Sequence, residues 1–384
     1  MDNGQSANVK SQAGAVLHRL IVCLPREDWL VVGWVLGIKI VLFVFGAESF
    51  RIFENRELSG QHPLLEIWNR WDSLHYQSLA RIGYQNGGVS KAFYPFFPWC
   101  VRFVSHFHLD YLVSAFVVSG IASVIAAILF RRLVEFEFNA VIARRAVWFF
   151  LIFPTAYFFH VGYSESLFLA LALGAILAAR NDRWWLAGMI GAYSWMTRPN
   201  GIVLLPTLGV EALHQWITTK RWQWRWLWIG LIPIGFGVYL LINWKISGDP
   251  FAFLRTRKES FFISASWPWI GVREAFRNMR RSPSEAEMVG AQEFFFAILG
   301  LACAIFSWIR LRPLYAMWIT SSWILFTSVT FLQSLPRYSL SMFPIFMLFA
   351  MIAKNRFWAG VIAVWSLIYL ALFAGLFARG WWAF

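Results

Sequence analysis

About eleven apolar runs, separated by charged or glycine- and proline-bearing segments, divide this 384-residue chain. A helix crosses the hydrocarbon of a bilayer with roughly 20 consecutive apolar residues. The runs cover residues 29–47, 109–130, 146–160, 164–179, 184–196, 202–218, 226–244, 294–309, 314–332, 338–353 and 357–378. Composition agrees with them. Only 14% of the residues are charged and 59% are hydrophobic, whereas a soluble domain has about a quarter of its residues charged. A water-soluble enzyme and a disordered chain are therefore excluded. Cys23, Cys100 and Cys303 lie too far apart for a disulfide framework or a CxxC metal site. The fold expected is an all-α polytopic membrane protein of about eleven spans.

Basic residues predict its orientation. With the N-terminus in the cytoplasm, the short cytoplasmic connections hold Arg131, Arg132, Arg144, Arg145, Arg180, Arg183, Lys220, Arg221, Arg225, Arg310, Arg312, Lys354 and Arg356. The short outer connections hold only Arg198 and Arg337. That asymmetry is the positive-inside rule. Two outer loops, about 48–108 and 245–292, are long enough to be partly exempt from it. Residues 1–28 then read as a cytoplasmic N-terminal segment, with a disordered start, and the run 29–47 as a retained signal anchor. Residues 29–384 read as a single transmembrane domain. The net charge of +14 is ascribed to these loops and to anionic lipid partners, with no call for nucleic acid.

The first outer loop carries the densest polar chemistry. A helix through Trp71-Asp72-Ser73-Leu74-His75-Tyr76 sets Asp72, His75, Tyr76 and Leu79 on one face, with Trp71 and Leu74 toward the interface. It is expected to stop near Gly83, with a turn at Asn86-Gly87-Gly88. The run Phe93-Tyr94-Pro95-Phe96-Phe97-Pro98-Trp99 has too much proline to open a span, and is expected to bend along a cavity. Taken alone, Asp72 serves equally well as a helix cap or as a partner of Arg70 or Arg81. Glu165, in Tyr163-Ser164-Glu165-Ser166, equally favours its own helix N-terminus. The orientation nevertheless puts Asp72, Glu165, Arg198 and Arg337 on one face of the membrane, although none of the cytoplasmic cations was chosen with that in view. Carboxylates facing arginines there suit group transfer from a lipid phosphate. A carboxylate takes the proton of an attacking hydroxyl, and the forked donors of arginine stabilise a departing phosphate. The second outer loop adds Arg255, Arg257, Lys258, Arg273, Arg277, Arg280 and Arg281 among Phe261, Phe262, Trp267 and Trp269. That loop reads equally as a phosphate-headgroup site or as a solvated basic surface.

Together these strings carry a family resemblance. Trp71-Asp72-Ser73-Leu74-His75-Tyr76, with Gly83-Tyr84 and Phe93-Tyr94-Pro95-Phe96-Phe97-Pro98, resembles the PIG-V-like mannosyltransferases. These are relatives of GPI mannosyltransferase II in the GT-C superfamily of membrane glycosyltransferases. Tyr163-Ser164-Glu165-Ser166-Leu167-Phe168 looks like the family's second motif, Arg198-Pro199-Asn200-Gly201 its third, and Pro336-Arg337-Tyr338 a later one. The resemblance implies a GT-C fold and a polyprenyl- or dolichyl-phosphate mannose donor. It implies inverting transfer to a hydroxyl of a glycan or glycolipid acceptor, with Asp72 as general base. His75, Tyr76, Tyr94, Tyr163, Glu165, Arg198, Asn200 and Arg337 become the substrate-binding candidates. No metal or cofactor is called for. The chain is shorter than expected of eukaryotic members and its outer loops lack a glycosylation sequon. A prokaryotic member in the cell (inner) membrane is therefore expected, with its site on the non-cytoplasmic face; a eukaryotic one would lie in the endoplasmic reticulum membrane. A transporter or lipid flippase, and a GT-C enzyme using another lipid-linked sugar, are the alternatives. The absence of an internal repeat weighs against a transporter.

Overall fold

The computed structural model describes residues 25–85, 88–279 and 291–382. The N-terminal segment up to residue 24, with Cys23, lies outside the described residues, as do Asn86, Gly87, Arg280 and Arg281. Helices account for nearly all regular structure in the described residues, and one isolated bridge joins Ala265 to Val329.

The first helix, α1 (Arg26–Glu54), runs 29 residues. Its buried positions include Val31, Val35 and Leu42, while Ile40, Val41 and Val44 on the far side are 64%, 67% and 59% exposed. A helix that turns a β-branched face outward at mid-length is solvated by lipid. Next come α2 (Asp72–Ile82), α3 (Phe96–Ser105), α4 (Tyr111–Glu137), α5 (Ala140–Ile152), α6 (Glu165–Arg180) and α7 (Trp184–Thr197). The remainder is α8 (Leu204–Thr219), α9 (Ile232–Ser247), α10 (Ala252–Phe261), α11 (Pro268–Asn278), α12 (Ala291–Arg310), α13 (Pro313–Thr327), α14 (Pro344–Ile352) and α15 (Arg356–Ala378). Side-chain caps set several starts. Asp110 accepts from the Val113 N–H at 2.6 Å, and Asn139 from Val141 and Ile142 at 3.0 Å, satisfying donors that have no partner within the helix.

Among the described residues, five helical stretches are long and apolar enough to cross a membrane: Arg26–Glu54, Tyr111–Glu137, Trp224–Ser247, Ala291–Arg310 and Arg356–Ala378. The chain is a membrane protein. The other apolar runs form shorter helices. The run 146–160 is helical only to Ile152, and then turns through a 3₁₀ segment, Ala156–Phe159. The run 338–353 is broken, because Leu335–Ser341 and Pro344–Ile352 meet at 82°. The chain leaves helical geometry at Met342 (φ −82°, ψ 55°), and Pro344, at the start of the next helix, supplies no N–H to the turn before it.

Several cations that read as solvated loop charges are buried instead. Arg131 pairs with Asp28 at 2.7 Å and with Glu135, tying α4 to the start of α1. Arg180 pairs with Glu137 at 2.5 Å and with Glu211 at 3.1 Å, and Arg312 reaches Glu211 at 2.9 Å. The Tyr315 hydroxyl donates to Glu137 at 2.9 Å. Glu211 is fully buried, and this network joins the ends of α4, α6, α8 and α13. Arg180 lies 15 residues along α6 from Glu165, about 22 Å at 1.5 Å per residue.

Candidate active site

At the other end of α6, three distant parts of the chain converge on one guanidinium. Arg337 stands in a single turn, Leu335–Tyr338, just before the 82° break. Its Nη1 donates to Asp72 Oδ2 at 2.8 Å, and its Nε donates to Glu165 Oε1. Arg198, which follows α7, pairs through Nη1 with the same Glu165 oxygen at 2.7 Å and donates to Ser164 Oγ at 2.9 Å. Glu165 and Arg337 are 5% and 3% exposed. Two carboxylates and two guanidiniums thus neutralise one another in a nearly dry setting, where breaking such a pair is costly.

Aromatic rings complete the enclosure. The Arg337 guanidinium lies 4.7 Å from the Tyr163 ring centroid and 4.8 Å from that of Phe158, as expected for a cation over a π face. The Tyr163 hydroxyl donates to the Arg70 carbonyl at 2.7 Å, and the Tyr76 hydroxyl shares a 2.8 Å hydrogen bond with Ser164 Oγ. Burial pushes the Tyr76 phenol well above its ordinary pKa, so it stays protonated. The turn that presents Arg337 is itself held. Both oxygens of fully buried Glu293 accept backbone N–H groups, from Ser334 and Leu335, each at 2.8 Å.

The cluster forms one wall of a cavity of ≈150 Å³. Asp72, Tyr94, Arg198 and Arg337 line it, as do Arg257 and Phe261 of the second outer loop. The Asp72 side chain keeps 27% exposure. Its Oδ2 is occupied by Arg337, and Oδ1 has no hydrogen-bond partner among the described residues. Asp72 therefore pairs with neither Arg70 nor Arg81. Arg70 instead donates to the carbonyls of Ile67 and Ala378 at 3.2 and 3.4 Å. Trp71, just before Asp72, has φ 52°, a left-handed conformation that a bulky side chain tolerates only when its surroundings impose it. Here its ring meets Trp382 edge-on at 5.1 Å.

The expected site residues fall into three groups. Asp72, Tyr76, Tyr94, Arg198 and Arg337 line the cavity. Tyr163, Glu165 and Asn200 sit behind it, and Glu165, Asn200, Arg198 and Arg337 also border a void of ≈10 Å³. His75 departs from the shared face. It packs against the Phe93 ring at 5.0 Å and lines a neighbouring pocket with Ser78, Leu79 and Ile82. Tyr94 stacks on Tyr239 at 4.0 Å, so the Pro-aromatic run does bend along the cavity, and α3 begins within it at Phe96. Ser164 and Glu293 were not among the expected site residues, and Arg257 stood only as one of seven basic residues of the second outer loop. Of these, Glu293 had a legible signal, as a carboxylate at the edge of an apolar run.

The Mannosyltransferase (PIG-V) family matches residues 57–223, a stretch that contains Asp72, Glu165 and Arg198. No curated protein matches the sequence. Among solved structures, the Archaeoglobus fulgidus oligosaccharyltransferase in complex with Zn and sulfate is similar at 12% identity and TM-score 0.48, over 90% of this chain and 53% of that one. Another is the archaeal oligosaccharyltransferase AglB from Archaeoglobus fulgidus with an inhibitory peptide and a dolichol-phosphate. It has 10% identity and TM-score 0.47, over 91% of this chain and 56% of that one. ArnT from Cupriavidus metallidurans bound to undecaprenyl phosphate has 17% identity and TM-score 0.44, over 84% of this chain and 60% of that one. The chain thus spans little more than half the length of these structures. The match falls on the stretch that holds the first three motifs, so the resemblance read from them and the family match agree: over residues 57–223 this chain is similar to the PIG-V mannosyltransferases.

Proposed function

We propose that the chain transfers mannose from a polyprenyl-phosphate carrier to a hydroxyl of a glycan or glycolipid acceptor. Asp72 is the general base, and the anomeric centre inverts. The reaction takes place on the non-cytoplasmic face, in a GT-C arrangement of about eleven spans. The observation that carries this reading is the open Oδ1 of Asp72, on a carboxylate fixed from behind by Arg337 and turned to a cavity whose other walls include arginines and tyrosines.

In the step proposed, the acceptor hydroxyl gives its proton to Asp72 as its oxygen attacks the anomeric carbon. The bond from that carbon to the phosphate oxygen breaks, and its electron pair leaves with the phosphate. Glu165 acts from behind, since one of its oxygens holds both Arg198 and Arg337 in place. Tyr94 and Arg198 face the substrates, while Tyr76 and Tyr163 position through their protein hydrogen bonds. The choice of mannose rests on the family match, and that of the lipid carrier on the motif resemblance.

The test is transfer in purified, detergent-solubilised protein from polyprenyl-phosphate mannose, with the glucose and arabinose analogues as competitors. Product with the opposite anomeric configuration is expected. Movement of the lipid in proteoliposomes with no covalent product would sink the proposal, and retained configuration would remove the single-step mechanism.

A further inference from the structure

The proposed reaction needs a cation for the departing phosphate, and the two arginines that the sequence offers for it are already engaged. Arg337 is gripped by Asp72 and Glu165, and Arg198 by Glu165. Those four groups sum to zero charge, so they offer an anion no net positive charge. A fifth charged group also lines the cavity. Arg257 lies in α10, whose Ala252, Phe253 and Thr256 are buried, and it lines the cavity with Phe261 one helical turn on. Its neighbours Arg255 and Arg277 are paired with Asp249 and Glu274. Arg257 has no carboxylate within 4.0 Å among the described residues.

Its scaffold is fixed as well. After α10 the chain turns at Phe262, with φ 57°. It then runs beside the segment that leads to Arg337. Thr330 N–H donates to the Ser264 carbonyl at 3.0 Å and Ser266 N–H to the Ser328 carbonyl at 3.1 Å, around the Ala265–Val329 bridge. The second outer loop and the Arg337 turn are therefore joined by backbone bonds. Burial raises the pKa of the nearby Tyr94 phenol, and the Arg257 charge opposes that rise, which marks the guanidinium as close to the Tyr94 side of the cavity.

We infer that Arg257 is the residue that holds the phosphate of the lipid-linked donor, an inference that rests on the function proposed above. A guanidinium free of carboxylates keeps its forked donors for phosphate oxygens. A glycosyl phosphodiester carries one negative charge. Once the bond to the anomeric carbon breaks, the leaving monoester carries about −1.5 to −2 at neutral pH. The attraction to Arg257 therefore grows along the reaction, and its loss lowers kcat as well as raising KM.

The test is binding of undecaprenyl phosphate to the purified full-length protein in detergent, read by tryptophan fluorescence. Undecaprenol and inorganic phosphate serve as parallel probes. R257Q is expected to weaken undecaprenyl phosphate binding about 10- to 100-fold, as loss of a charged hydrogen bond does, and to leave undecaprenol binding unchanged. R257K should recover part of the loss, and R255Q should match wild type. Equal binding of undecaprenyl phosphate by R257Q and wild type, with mannosyl transfer intact in the wild type, would overturn the role of Arg257 and leave the proposed function standing. Wild-type protein that prefers undecaprenol, or that takes inorganic phosphate but not the lipid, would overturn both.

Discussion

Arg337 is the residue on which the site turns. It has one buried carboxylate on Nε and one half-open carboxylate on Nη1, so replacing it leaves two negative groups facing each other. Arg337→Gln should cost about 3–5 kcal/mol of stability, read as a fall in melting temperature in detergent. Arg337→Lys should retain part of the stability, since an ammonium keeps the charge but not the two-pronged geometry. Asp72→Asn is the contrasting case. The amide keeps the shape but, on the function proposed, cannot take the acceptor's proton, so kcat should fall about 10²- to 10⁴-fold, with a smaller fall in melting temperature than for Arg337→Gln because Arg337 keeps Glu165. Full activity in that variant would remove Asp72 as the base. The four charged residues were legible because charge is scarce in such a chain, and because Glu165, Arg198 and Arg337 stand at the ends of apolar runs. Their pairing was not, since Asp72 and Arg337 are 265 positions apart and no local pattern links them. Ser164 was silent for another reason: a serine at a helix start has many ordinary uses, and only its two partners, Tyr76 and Arg198, single it out.

Two short elements translate sequence into site geometry. The turn Leu335–Tyr338 starts from Ser334 at φ 64°, and Glu293 clamps its first two N–H groups. Glu293→Gln can accept only one of those hydrogens well, and its NH₂ must face the other N–H. A loss of about 1.5–3 kcal/mol is expected, together with reduced transfer activity, because Arg337 rides on that turn. The second element is the 3₁₀ turn Pro199–Val203 after Arg198. A Cβ on Gly201 would lie 2.3 Å from the Cα of Trp195, so the motif's glycine serves close packing of one backbone on another. Gly201→Ala should force the turn away from α7 and cost about 1–3 kcal/mol, measured by thermal unfolding. Helix α2 and the bent aromatic run were read correctly from periodicity and proline. The unshared face of His75 was not, because whether a neighbour such as Phe93 divides a helix face depends on a contact that spacing alone does not encode.

For the whole molecule, the order of the elements followed the apolar runs closely, and most differences lie where a run is helical for only part of its length. The orientation can be tested directly. Ser73 is fully buried and unsuited to a reagent, but Ser78 is exposed on the same helix and Arg144 is 44% exposed at the opposite end. With Cys23, Cys100 and Cys303 replaced by alanine, cysteines at Ser78 and Arg144 should react with an impermeant maleimide from opposite sides of a sealed vesicle. Reaction from one side would refute the topology.

The buried network of Glu137, Arg180, Glu211 and Arg312 bears on how the molecule can move. It joins the end of α6 opposite Glu165 to α4, α8 and α13, and its carboxylates are satisfied by several donors each. Parting those helices would strand fully desolvated charges, and a carrier that alternates its access must do so in every cycle. On the function proposed, a molecule riveted there takes in its substrates and releases its products on the Asp72 side alone.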